Sequence, residues 1–117
     1  MNGKLSAIKI GIIITTLIAA LMHLGLSILL LSGSEFQTLG ILFILNGLGY
    51  LALLAAYFLP QPFFKRYRGL TRWLLAGFAA VTIVAWFVMN GDFSDPASII
   101  TKGAELALIV LLMLDRP

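Results

Sequence analysis

The chain has 117 residues, of which 61% are hydrophobic and 11% charged, with a formal net charge of +3. Soluble domains carry roughly 25% charged residues, so this composition excludes a water-soluble globule and points to a compact integral membrane protein. The absence of cysteine removes disulfides, thiolate metal sites and cysteine nucleophiles, and cations confined to short segments beside apolar runs exclude a nucleic-acid partner.

Lys4 and Lys9 precede an apolar run broken only by Gly11, Thr15, Thr16, His23, Gly25 and Ser27. The run is too long for the apolar region of a signal peptide, so it predicts a retained first spanning helix over 6–31. Ser32 to Glu35 forms a turn without Lys or Arg. A second helix is expected over 37–59, ended by Pro60 and Pro62. Phe63-Phe64-Lys65-Arg66-Tyr67-Arg68-Gly69 alternates aromatic and basic residues and reads as a loop. Arg72 and Trp73 open a third helix over 70–89, and Asn90 to Ser94 reads as a tight turn. Asp95 as N-cap and Pro96 at the first helical position begin a fourth helix over 96–115. The fold class is therefore an all-α membrane protein, a four-helix up-and-down transmembrane bundle, with 1–117 as one domain.

Seven cations flank the spans. Lys4, Lys9, Lys65, Arg66, Arg68, Arg72 and Arg116 all fall on one side of such a bundle, whereas the other two loops hold only Glu35, Asp92 and Asp95. The positive-inside rule then places both termini in the cytoplasm, with the plasma membrane as the expected location. Lys65, Arg66, Arg68, Arg72 and Trp73, with Phe63, Phe64 and Tyr67, resemble an interfacial anchor for lipid headgroups. Trp86, Phe87 and Phe93 suggest an aromatic belt at the opposite interface.

Only the fourth span carries charges inside it, Lys102 and Glu105, three residues apart on one face. Each costs roughly 2.5–3.5 kcal/mol on insertion scales, and about ten apolar residues returning ~0.3–0.6 kcal/mol each leave the sum near zero, so this helix needs partners. Counting from the middle of each run places His23, Asn46, Thr82, Lys102 and Glu105 in one layer ~5 Å thick, displaced toward the same side of the membrane. The facial stripes agree: Thr16, Ala20, His23 and Ser27; then Phe43, Asn46, Gly47, Tyr50 and Tyr57; then Ser98, Lys102, Glu105, Ile109 and Leu112. The candidate ligand or ion site is Glu105, Lys102, His23, Asn46, Tyr50 and Thr82. Glu105 reads either as a structural acid held by Lys102 or His23, or as a proton, cation or ligand site. Lys102 is close enough to the interface for its stem to snorkel partway outward. A single histidine does not supply bis-histidine haem ligation, so no metal or cofactor is expected. Gly103 and Ala107 form a weak small-residue pair, read as intramolecular packing ahead of self-association.

Phe43-Ile44-Leu45-Asn46-Gly47-Leu48-Gly49-Tyr50, Phe87-Val88-Met89-Asn90-Gly91 and Thr101-Lys102-Gly103-Ala104-Glu105-Leu106-Ala107 together resemble the small four-helix membrane proteins grouped as domains of unknown function. The resemblance covers nearly the whole chain and implies the fold without an activity. Small multidrug transporters are similar in helix number, but their essential acid lies in the first helix, where this chain has no carboxylate. Vitamin K-type quinone reductases are excluded by the missing cysteines. No nucleophile, base and orienting group fall together in sequence, so the leading expectation is a non-enzymatic protein: an accessory subunit of a membrane complex, or a small-ligand binder with a buried polar layer. The alternative is a small proton- or cation-coupled transporter, oligomeric, titrating at Glu105. Its partners are the bilayer and either other membrane subunits or a second copy of the chain.

Overall fold

The computed structural model describes residues 6–33, 37–89 and 96–115, and every element among them is helical. α1 runs Ala7–Ser32, α2 Gln37–Phe58, α3 Pro62–Arg66, α4 Arg68–Met89 and α5 Pro96–Leu114. All but α3 are long and apolar enough to cross a membrane. At 1.5 Å per residue, the 19 residues of α5 give ~28 Å and the 26 of α1 ~39 Å, against a hydrocarbon core of ~30 Å. α1 packs on α2 and α5, and α4 packs on the same two, so α1 and α4 sit on one diagonal and α2 and α5 on the other.

Each neighbouring pair runs antiparallel, as the contacts along it show. A Cβ added at Gly40 or Gly47 of α2 would meet Leu31 or Leu24 of α1, and one at Gly11 would meet Leu111 of α5. Near the termini Lys9 at the start of α1 meets Asp115 just past α5, and Arg72 at the start of α4 meets Leu112. The chain is thus a four-helix up-and-down transmembrane bundle.

Burial follows the logic of a protein dissolved in lipid. Ile28 is 70% exposed and Val88 80%, while Thr16, Ser27, Thr82, Thr101, Lys102 and Glu105 are buried. Bilayer hydrocarbon offers no hydrogen bonds, so polar side chains turn inward and apolar ones outward. The hydroxyls of Thr15, Thr16, Thr71, Thr82 and Thr101 each donate to the carbonyl four residues earlier, which satisfies them within their own helix.

Three expectations need correcting. Residues 62–66 form a helix instead of an open loop: Pro62 occupies its first turn after an extended Gln61, where a fixed φ and a missing N–H are no handicap. The chain then turns through Tyr67 directly into α4, two residues ahead of the predicted start. On α5 the inward position is Leu108, fully buried, with Ile109 only partly so. Gly103 has nothing within 4 Å of where its Cβ would stand, and Ala107 is exposed, so that pair does not serve packing within the described residues. Lys4, Glu35, Asp92, Phe93, Asp95 and Arg116, with the expected cap at Asp95, the turn over 90–94 and the second half of the turn over 32–35, lie outside the described residues.

Candidate functional site

The bundle centre is organised by Glu105, which is 0% exposed. Its Oε1 accepts from Lys102 Nζ at 2.5 Å, and its Oε2 accepts from the Tyr50 hydroxyl. Lys102 and Glu105 are three apart on α5, so one turn brings them together, but Tyr50 reaches them from α2 across the diagonal. A bare carboxylate at this depth would be prohibitively costly. A cation on one oxygen and a phenol on the other satisfy both.

Lys102, 9% exposed, therefore does not snorkel outward as its long stem allowed: a counter-ion one turn away holds it in the core. Its ammonium also stands 6.0 Å from the centre of the Trp86 ring, within cation–π range. Trp86, half-buried, lines a cavity with Lys102, whereas Phe87 is exposed.

Tyr50 stacks edge-on against Phe78 of α4 at 4.7 Å, where Gly49 leaves room for the Phe78 ring. Beside it, Asn46 Nδ2 donates to Thr82 Oγ1 at 2.9 Å, joining α2 to α4. The Asn46 Oδ1 is buried without a hydrogen-bond partner among the described residues.

His23, 5% exposed, lies on the other side of the layer with its ring 5.1 Å from that of Phe43 and 6.1 Å from that of Tyr50. Its Nδ1 is 2.7 Å from the Ala19 carbonyl. A carbonyl only accepts, so Nδ1 carries the hydrogen. In the neutral ring this leaves a lone pair, and so an acceptor, on Nε2.

Next to the layer is a half-open cavity of about 270 Å³. Its polar end is formed by His23, Lys102, Thr101 and Ser98, and the rest by leucines of α1 and α2 with Phe43 and Trp86. It extends from the layer toward the end of the bundle marked by Gly33 and Pro96. Glu105, fully buried, does not line it. The six candidate residues thus divide into a triad of Glu105, Lys102 and Tyr50, a flanking pair of Asn46 and Thr82, and His23 at the cavity.

A second polar cluster closes the opposite end. Asp115, buried, accepts from Lys9 Nζ at 2.6 Å on Oδ1 and from the Tyr57 hydroxyl at 2.6 Å on Oδ2. Arg72 Nε donates to the Leu112 carbonyl at 2.6 Å, and Arg68 Nε to the Tyr57 carbonyl at 2.7 Å. Arg68 and Arg72 thereby cap the carbonyl ends of α2 and α5, where cations are favoured by the helix dipole. Both arginines are half-buried, while Lys65, Arg66 and Trp73 are exposed. Asp115, Lys9 and Tyr57 were not among the sequence candidates, although each continues a stripe: Tyr57 is seven beyond Tyr50, Lys9 fourteen before His23, and Asp115 three beyond Leu112.

Fold and site together define a four-helix transmembrane bundle with a charged core layer beside a cavity. The chain belongs to the family of unknown function DUF7475, whose profile matches residues 3–114. No curated protein and no solved structure matches it.

Proposed function

We propose that this is a non-enzymatic membrane protein that binds a small ligand in the cavity between His23 and Lys102, with both termini on the cytoplasmic side of the plasma membrane. One observation supports this above the others: a hollow of about 270 Å³ is lined by Lys102 and His23 beside its apolar residues. That is close to the lower limit of ~300 Å³ for small-molecule sites, and its mostly apolar wall with a few convergent polar groups is their usual construction. The exposed Lys65, Arg66 and Trp73 suit headgroup contact in this arrangement.

The test is native mass spectrometry of protein released from its own membrane in mild detergent. A bound small molecule, lost when Leu26→Phe fills the cavity, is the expected result. Protein free of any small molecule but in fixed stoichiometry with another membrane subunit would overturn this reading in favour of an accessory subunit.

A carrier is the second reading, favoured by the bundle's asymmetry. The end near the termini is closed by Lys9, Tyr57, Asp115 and the two arginines, while the other end is hollow. Flux in liposomes containing the chain alone separates carrier from binder.

A further inference from the structure

We propose that the cavity takes a neutral amphiphile bearing a hydroxyl group, an alcohol or a phenol, with its oxygen between Lys102 Nζ and His23 Nε2. This rests on the ligand-binding reading above and assigns that ligand its chemistry.

Two facts set the class. The first is charge. Glu105 neutralises Lys102 at 2.5 Å, so with a neutral imidazole the polar end of the cavity has no net charge. An anionic ligand would bring an uncompensated charge into a low-dielectric site, and a cationic one would meet the ammonium directly. A neutral ligand incurs neither cost.

The second is hydrogen-bond polarity. Lys102 offers only donors, one of which Glu105 already takes. His23 has committed its Nδ1 hydrogen to the Ala19 carbonyl, so its neutral ring offers an acceptor at Nε2. A group filling the space between them must accept from one and donate to the other. A ketone, ester or ether oxygen satisfies Lys102 and leaves the imidazole lone pair unmet. A hydroxyl does both with one atom. Its apolar body then lies along Leu26, Leu30, Phe43 and Trp86, which line the rest of the hollow.

Three probes of similar size separate these terms: 2-naphthol, which donates and accepts; 2-methoxynaphthalene, which only accepts; and 2-naphthoate, an anion. Binding is measured by calorimetry on detergent-solubilised wild type, with the Leu26→Phe protein subtracting partition into the micelle. Because His23 is the chain's single histidine, its imidazole ¹⁵N signals report the site in the unmutated protein. We expect 2-naphthol to bind about tenfold more tightly than its methyl ether, the effect of one hydrogen bond to a buried nitrogen, and more tightly still than the naphthoate. The Nε2 signal should move upfield with 2-naphthol and stay put with the ether. Equal affinity of naphthol and ether with an unmoved Nε2 would overturn the hydroxyl assignment while leaving a ligand site in place. Tightest binding by 2-naphthoate would overturn the neutral class. No saturable binding of any probe would overturn the ligand-binding reading itself.

Discussion

Glu105→Gln is the perturbation that tests the core layer most directly. Two unit charges at the 2.5 Å separation of Lys102 and Glu105 attract by ~7 kcal/mol at an effective dielectric constant of ~20. Most of that is offset by the cost of taking both ions out of water, so the intact pair contributes little net stability. Removing one partner alone is different, because the other charge stays buried without compensation at a cost of roughly 3–5 kcal/mol. Gln keeps the shape and still meets Tyr50, so the loss isolates the charge. Lys102→Met in the same chain removes the stranded ammonium, and the double variant should return to within ~1 kcal/mol of wild type. The coupling energy from this cycle should then exceed ~3 kcal/mol, the upper end for residues in contact. The assay is reversible unfolding in mixed micelles, read by helicity for the four proteins. Additive single and double effects, or a Gln variant as stable as wild type, would refute the claim that Glu105 is held as a charged partner of Lys102.

Three further outcomes follow from other parts of the bundle. Tyr57→Phe removes a buried bond to a carboxylate and should cost ~1.5–3 kcal/mol in the same unfolding assay; an unchanged midpoint would mean that Asp115 is held by Lys9 alone. Gly47→Ala sets a Cβ 2.6 Å from Leu24 Cγ and 3.0 Å from the Ala20 carbonyl, and should destabilise by ~1–3 kcal/mol, whereas Gly103→Ala meets open space and should be neutral or stabilising by up to ~1 kcal/mol. Single cysteines replacing Ser34 and Ser94 should react with an impermeant maleimide on intact cells, and one replacing Gln61 should not; the reverse pattern would invert the proposed orientation.

Much of this was legible in the sequence because a bilayer simplifies the code. An apolar run of about 20 residues is a span, and a polar residue inside it must face a partner. That argument suffices to place His23, Asn46, Thr82, Lys102 and Glu105 in one layer and to turn Thr16, Ala20 and Ser27 inward. It does not say which partner each residue takes. Depth and face are properties of one helix, whereas the bond from Tyr50 to Glu105 depends on which helices stand diagonally, and four antiparallel helices close into a ring in more than one order. The same ambiguity hid the Asp115 cluster. Lys9 and Asp115 sit where flanking charges normally meet water, and only the α1 to α5 contact makes them a pair. The charge of Arg68 and Arg72 suits headgroups and helix-end carbonyls alike, and only the docking of α4 against the ends of α2 and α5 reveals the bonds to carbonyls.

The two tyrosine bonds account for why the bundle adopts one arrangement in a solvent that gives helices little hydrophobic reason to associate. α2 and α5 lie on a diagonal without close backbone approach, and Tyr50 and Tyr57 reach across it to Glu105 and Asp115. A one-residue slip or a rotation of either helix would break both bonds at once and leave two acids buried without their phenols. Register is thus set by polar contacts at two depths, while apolar residues fill between them, with Leu54 and Leu108 in the core that separates the two levels. Beyond Glu105, toward Gly33 and Pro96, α2 supplies no third tyrosine: its next inward positions are Gly47, Phe43 and Gly40, two residues without a side chain and an aromatic ring without a hydroxyl. With no crossbar at that level the diagonal is left unspanned, and the hollow beside His23 and Lys102 occupies that end.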